Sequence, residues 1–136
     1  MLRLSAVLPV LLSASLLGIA AGCGGSDGAE EESATPTEAV AEIREIKTLL
    51  EAAVDQVQAG DRTTAEETVG NAYLEHFEPV EKPLGDRDHD LMEELEEAIS
   101  TDLRNDIKGG ESAAEISTKV AEIEADLDRA VEVLQS

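Results

Sequence analysis

The chain has 136 residues, and 31 acidic against 10 basic side chains give it a formal charge of −21. A surface of that sign repels phosphate backbones and anionic headgroups, which excludes a nucleic-acid partner and favours cations, basic partners or a salty medium that screens the repulsion. A halophilic source would account for both the acidic excess and the scarcity of lysine, present only at Lys47, Lys82, Lys108 and Lys119.

The N-terminal segment reads as an export signal. Arg3 supplies one positive charge, Leu4 to Leu17 form an apolar stretch around Pro9, and small residues lead into Ala20-Ala21-Gly22-Cys23. This is the three-part layout of a secretory signal. A permanent membrane span needs about 20 predominantly apolar residues. The stretch here is interrupted by Ser13, Ser15 and Gly18, and an acidic, glycine-rich segment follows it in place of a basic flank. Ala20 to Cys23 resembles the lipobox at which bacterial and archaeal lipoproteins are cleaved and acylated, although Ala20 stands where leucine or valine is usual. That resemblance implies a signal peptide at 1–22, lipid on Cys23, and an extracytoplasmic, membrane-anchored location. Residues 23–34 then form a flexible tether. Cys23 is the sole cysteine, and acylation would consume a thiol that export would otherwise leave exposed.

The remainder, 35–136, reads as one small helical domain. It has no Trp, one Tyr and one Phe, so its core must be built from Leu, Ile, Val and Ala. Thr35-Pro36-Thr37-Glu38 is a capping box with proline at the first helical position, and Val40, Ile43, Ile46 or Lys47, Leu50, Val54 and Val57 follow at helical spacing up to Gly60. A second box at Thr63-Thr64-Ala65-Glu66 opens the next helix, with Ala65, Val69, Ala72, Tyr73, His76 or Phe77, and Val80 inward. Pro79 is expected to kink or end it, and Pro83-Leu84-Gly85-Asp86 to form a turn. Asp86 or Asp88 caps a third helix along Leu91, Met92, Leu95, Ile99, Leu103 and Ile107, which Gly109-Gly110 ends. Ser112-Ala113-Ala114-Glu115 starts the fourth, with Ile116, Val120, Ile123, Leu127, Ala130, Val131 and Leu134.

At an offset of 49 residues, Ile43 falls on Met92, Ile46 on Leu95, Leu50 on Ile99, Val54 on Leu103, Gly60 on Gly109, and the Thr63 box on the Ser112 box. One helical hairpin cannot bury its apolar stripe alone. Two can pair, and the expected fold is all-α: an antiparallel four-helix bundle built from two helical hairpins.

The chemistry-bearing residues concentrate between Asn71 and Leu84. His76 lies on or beside the inward face with Glu81 five residues on, and an imidazole with a nearby carboxylate can ligate a transition metal. The alternative is that Tyr73, His76 and Phe77 fill the widest part of the core. Tyr73-Leu74-Glu75-His76-Phe77-Glu78-Pro79-Val80-Glu81, followed by Pro83-Leu84, resembles the extracytoplasmic helical domain of some high-affinity iron permeases. Ala59-Gly60-Asp61, Ala65 to Tyr73 and an acidic helix from Leu91 fit the same pattern, so the resemblance covers roughly 38–134. It implies an accessory role in iron supply, with Glu75, His76, Glu78 and Glu81 as the positions to suspect for a divalent or ferric cation. The permease's multi-helix membrane domain has no counterpart here, so the chain would assist a transporter or other membrane protein and not transport by itself.

Asp86-Arg87-Asp88-His89-Asp90 gathers three carboxylates and a histidine, but lacks the glycine and terminal glutamate of a calcium loop. His89 is a further candidate ligand, while the aspartates equally suit a helix start. Glu93-Glu94 and Glu96-Glu97 read as a solvated acidic face. Phosphate loops, nucleophile elbows and His-Glu-x-x-His are missing, and Tyr73 stands where a Glu-x-x-His motif would need its glutamate, so a catalytic role is not expected. Two functions follow: a lipoprotein that binds or hands on a metal cation, or a non-metal partner-binding or structural bundle attached to a membrane complex.

Overall fold

The computed structural model describes residues 34–136; the expected signal peptide, Cys23 and nearly all of the expected tether lie outside the described residues. Helix α1 is Pro36–Gln58 and α4 is Ala113–Gln135. Helix α2 runs over residues 62–85 as Arg62–Asn71, a π-helical turn Ala72–Phe77, and Glu78–Gly85. Helix α3 runs over residues 89–109 as His89–Glu97, a second π-helical turn Ala98–Asp102, and Leu103–Gly109. These four helices form two hairpins packed into an all-α four-helix bundle. Helix α1 lies against α2 and α4, α3 lies against α2 and α4, and α1 and α3 sit across the diagonal.

The first and last helices start as their sequences direct. Thr35 Oγ1 accepts the Glu38 amide at 3.3 Å while Glu38 Oε2 accepts the Thr35 amide at 2.8 Å. Ser112 and Glu115 repeat the reciprocal pair at 3.3 and 2.9 Å. The Thr35 and Ser112 hydroxyls, donating to Glu38 and Glu115 at 2.7 and 2.6 Å, and then the backbone amides hold these carboxyls below the ordinary range.

The second start differs from expectation. Thr63 is inside α2, and the cap is Asp61, whose side chain accepts the Thr64 amide at 3.2 Å. The cause is the turn before it. Gly60 adopts φ 85°, and the Asp61 amide reaches back to the Gln56 carbonyl at 2.9 Å, closing α1 in a Schellman arrangement. That brings Asp61, not Thr63, to the head of α2. Glu66, released from any capping box, instead receives Arg104 at 2.9 Å and Lys108 at 2.7 Å.

Pro79 does not end α2, nor is Pro83–Gly85 a turn. The Glu78 amide bonds the Tyr73 carbonyl five residues back, so the π turn changes the hydrogen-bond register just before Pro79. Pro79 then sits at the head of a fresh α-helical segment, where a missing N–H is tolerated. The chain turns at 86–88, and Asp88 caps α3 by accepting the Leu91 amide at 3.1 Å.

The second π turn refines the repeat. Ile46 matches Leu95 before it, and Leu50 matches Ile99 at its start. The extra residue it absorbs makes Ala53 the counterpart of Leu103 and Val57 that of Ile107, all four being buried. Accordingly the left-handed glycine that matches Gly60 is Gly110, at φ 90°, and Gly109 remains helical.

The core is aliphatic along its length. Ile43, Ile46, Leu50, Leu84, Leu91, Leu95, Ile99, Leu103, Ile107, Ile116 and Leu127 are fully buried, with Phe77 the largest side chain among them. No polar or charged residue is buried among the described residues. Among these residues no helix is long and apolar enough to cross a membrane.

Candidate metal-binding region

The π turn of α2 orients the suspect residues. Its wider winding keeps Phe77 fully inward, leaves Tyr73 and His76 half-buried at the helix edges, and turns Leu74 outward with 57% of its surface exposed. The Tyr73 and Phe77 rings stack at 6.0 Å between centroids. Phe77 therefore fills the core, and His76 does not.

His76 faces α1. Its Nδ1 lies 2.7 Å from Glu42 Oε2, with both side chains partly exposed. In the Nδ1–H tautomer the ring donates to the Glu42 carboxylate, and Nε2 keeps its lone pair. This is the way a carboxylate orients a metal-ligating imidazole in many proteins.

Tyr73 faces the other way, towards α3. Its hydroxyl lies 3.5 Å from Glu96 Oε1. Burial first, and then the neighbouring Glu81, Glu96 and Glu78 carboxylates, push the phenol up to about 12. Glu81 is thus engaged with Tyr73 on this side. Glu75 and Glu78 are exposed on the outer face of α2.

The aspartate-rich knot resolves into local contacts. Asp88 caps α3, Asp86 pairs with Lys82 at 3.1 Å, and Arg87 donates to the Pro83 carbonyl at 3.2 Å. His89 Nε2 lies 3.3 Å from Glu93 Oε1, one turn on along α3, and both are exposed. His76, Glu81 and His89 therefore take three different carboxylate or hydroxyl neighbours. Among the described residues no group of three or more His, Cys, Asp or Glu side chains is arranged to hold a metal ion.

Two participants escaped the sequence reading. Glu42 belongs to α1, 34 positions from its histidine. Glu96 reads in sequence as part of a solvated row. The one available signal for Glu42 was its place beside Ile43, at the border of the α1 apolar stripe, where a carboxylate can lean towards a neighbouring helix.

The geometry defines a small acidic helical bundle whose two histidines, His76 and His89, each lie beside a carboxylate. No family model matches the chain, and neither the characterised proteins nor the solved structures compared with it provide a match.

Proposed function

We propose that this chain is a lipid-anchored, extracytoplasmic, non-catalytic bundle that passes a metal cation to or from a membrane partner, with His76 as the protein ligand. The observation that carries this reading is the Glu42–His76 contact at 2.7 Å, since a ring that donates from Nδ1 to a carboxylate has Nε2 left for a metal. A single imidazole with exposed carboxylates nearby binds an ion weakly and leaves coordination positions for water or for a partner's ligands. Weak, incomplete ligation suits transfer and not storage. Iron is favoured through the resemblance of Tyr73 to Leu84 to the iron-permease domain, and the acidic surface concentrates cations of any kind. Location rests on the export-like segment and on Cys23.

Titration of the protein with ferrous iron and with zinc, followed by NMR, tests the metal role. The His76 ring resonances should move first, and His76→Ala should remove the response with the fold intact. No change at His76 at millimolar metal would end it. The mass of the mature N-terminus tests the anchor separately: a diacylated or triacylated Cys23 supports it, and an unmodified Cys23 or a chain still beginning at Met1 opposes it.

One observation favours the second reading, a partner-binding bundle that handles no metal. Leu74 is the exposed large hydrophobic residue of the described chain, and it lies on the same π turn as His76. Loss of co-purification with a membrane protein in Leu74→Glu, together with an unaltered melting temperature in the presence of every metal tried, would select it.

A further inference from the structure

The N-terminal boundary of the bundle holds a contact that neither reading uses. The Ala34 amide donates to the Pro79 carbonyl at 3.3 Å, and Ala34 is half-buried against the core. In an α-helix the carbonyl of residue 79 would receive the amide of residue 83. Residue 83 is proline, which has no N–H to give. The acceptor is therefore left open by the sequence of α2 itself, on the face turned towards the incoming chain.

We propose that the proline pair Pro79 and Pro83 is a built-in strap point: it holds the chain that enters the bundle against α2, one residue before the Thr35 cap. Three features act together. Pro83 vacates the Pro79 carbonyl. Pro83 is buried and Pro79 half-buried, so the vacated carbonyl lies beside apolar surface where an unmet acceptor is costly. The extended backbone of Thr35, at ψ 159°, directs the preceding residue across to α2 and not onward along the axis of α1. The consequence is mechanical. A pull arriving from upstream is shared by α1 and α2 before the first turn of α1 can unwind.

The strap is a backbone contact, so the two prolines have different parts in it. Pro79 supplies only a carbonyl, which any residue has. Pro83 supplies the missing N–H, which no other residue can. Pro79→Ala should therefore keep the strap, whereas Pro83→Ala should restore an intrahelical bond from residue 83 and release Ala34.

The test is amide hydrogen exchange of the full chain by NMR, with the scalar coupling across the Ala34 N–H to Pro79 carbonyl bond measured in the wild type. The wild type and Pro79→Ala should protect the Ala34 amide by about tenfold or more over an unstructured chain. Pro83→Ala should lose that protection while the amides of α1 beyond its first turn keep theirs. Should Pro83→Ala fail to fold, the wild-type coupling and the Pro79→Ala protection still decide. An Ala34 amide exchanging at the unstructured rate in the wild type would overturn the proposal. So would protection lost in Pro79→Ala or unchanged in a folded Pro83→Ala.

Discussion

Arg62, in the first turn of α2, donates its Nη1 to the carbonyl of Ile107 at 3.0 Å, so a cation from the first hairpin closes the last turn of α3 in the second. The same guanidinium reaches the Glu111 carbonyl at 2.6 Å and the Gly110 carbonyl at 3.4 Å. Helix C-termini carry unpaired carbonyls and a partial negative charge, and a planar fork of donors meets both needs. Arg62→Met keeps much of the aliphatic stem and removes the donors. It should cost about 1–3 kcal/mol, as for hydrogen bonds to charged groups, and lower the melting temperature by several degrees. Arg62→Lys should recover only part of this, since a single ammonium cannot span three carbonyls. Chemical denaturation of the three proteins gives the order.

Phe77 and His76 are sequence neighbours with opposite surroundings, and their substitutions should separate. Phe77 is fully buried, so Phe77→Ala should cost about 3–5 kcal/mol, a large share of the stability of any domain this size. His76→Ala removes a half-exposed contact with Glu42 and should cost under about 1 kcal/mol. Equal losses in the two variants, measured by urea unfolding, would place His76 in the core after all.

Tyr73 is the sole tyrosine, and there is no Trp, so its ionisation can be followed directly by ultraviolet absorbance. The midpoint should fall near 12, against an ordinary 10, because burial and the carboxylates of Glu81, Glu96 and Glu78 oppose a phenolate. A group whose folded pKa is raised favours its protonated form in the folded state. The stability that Tyr73 contributes is therefore whole below pH 10 and is lost between 10 and about 12. Glu96→Gln should lower the midpoint by removing one of the opposing charges.

Glu124 should destabilise the bundle at neutral pH. Its carboxyl is raised above the ordinary 4.5 by partial burial first, then by Glu51 and Asp128, with Lys47 opposing, and its Oε1 accepts no hydrogen bond. Burial favours the protonated form, so the penalty is whole above the raised pKa, shrinks as pH falls from it, and is absent below the ordinary 4.5. Glu124→Gln should raise stability at pH 7 by no more than about 1 kcal/mol, and by nothing below the ordinary 4.5, where both states hold the proton. Added salt should raise the melting temperature of the wild type more than that of the variant, since screening weakens the same repulsions. A melting temperature insensitive to salt would remove the physical basis for relating the charge of −21 to a salty environment.

Much of the fold was readable before any coordinates. Thr35 with Glu38, and Ser112 with Glu115, are reciprocal contacts between residues three apart, and the stripe of Ile43, Ile46 and Leu50 is a spacing. Such features depend on one turn of helix and survive whatever the rest of the chain does. Thr63 failed as a cap because its case depended on where α1 ended. Gly60 and Asp61 placed that boundary two residues earlier through a bond back to Gln56. The offset between hairpins failed by one residue because periodicity cannot reveal a π turn, which preserves the helix and shifts its register.

The candidate site was the least legible part. His76 and Glu81 are five apart in sequence and turn to different neighbours, because five residues of α-helix carry the second side chain about 140° round the axis from the first. Glu42 is 34 positions from His76 and sits 2.7 Å from it. By itself the amino-acid sequence determined four helices, three of whose starts are set by local side-chain caps on the expected residues, and an aliphatic core for an acidic surface. Only the tertiary structure decided which carboxylate orients the histidine, which arginine closes α3, and which carbonyl receives Ala34. Contacts within a helix are set by its own pitch, whereas contacts between helices depend on rotations and registers that a single extra residue can shift.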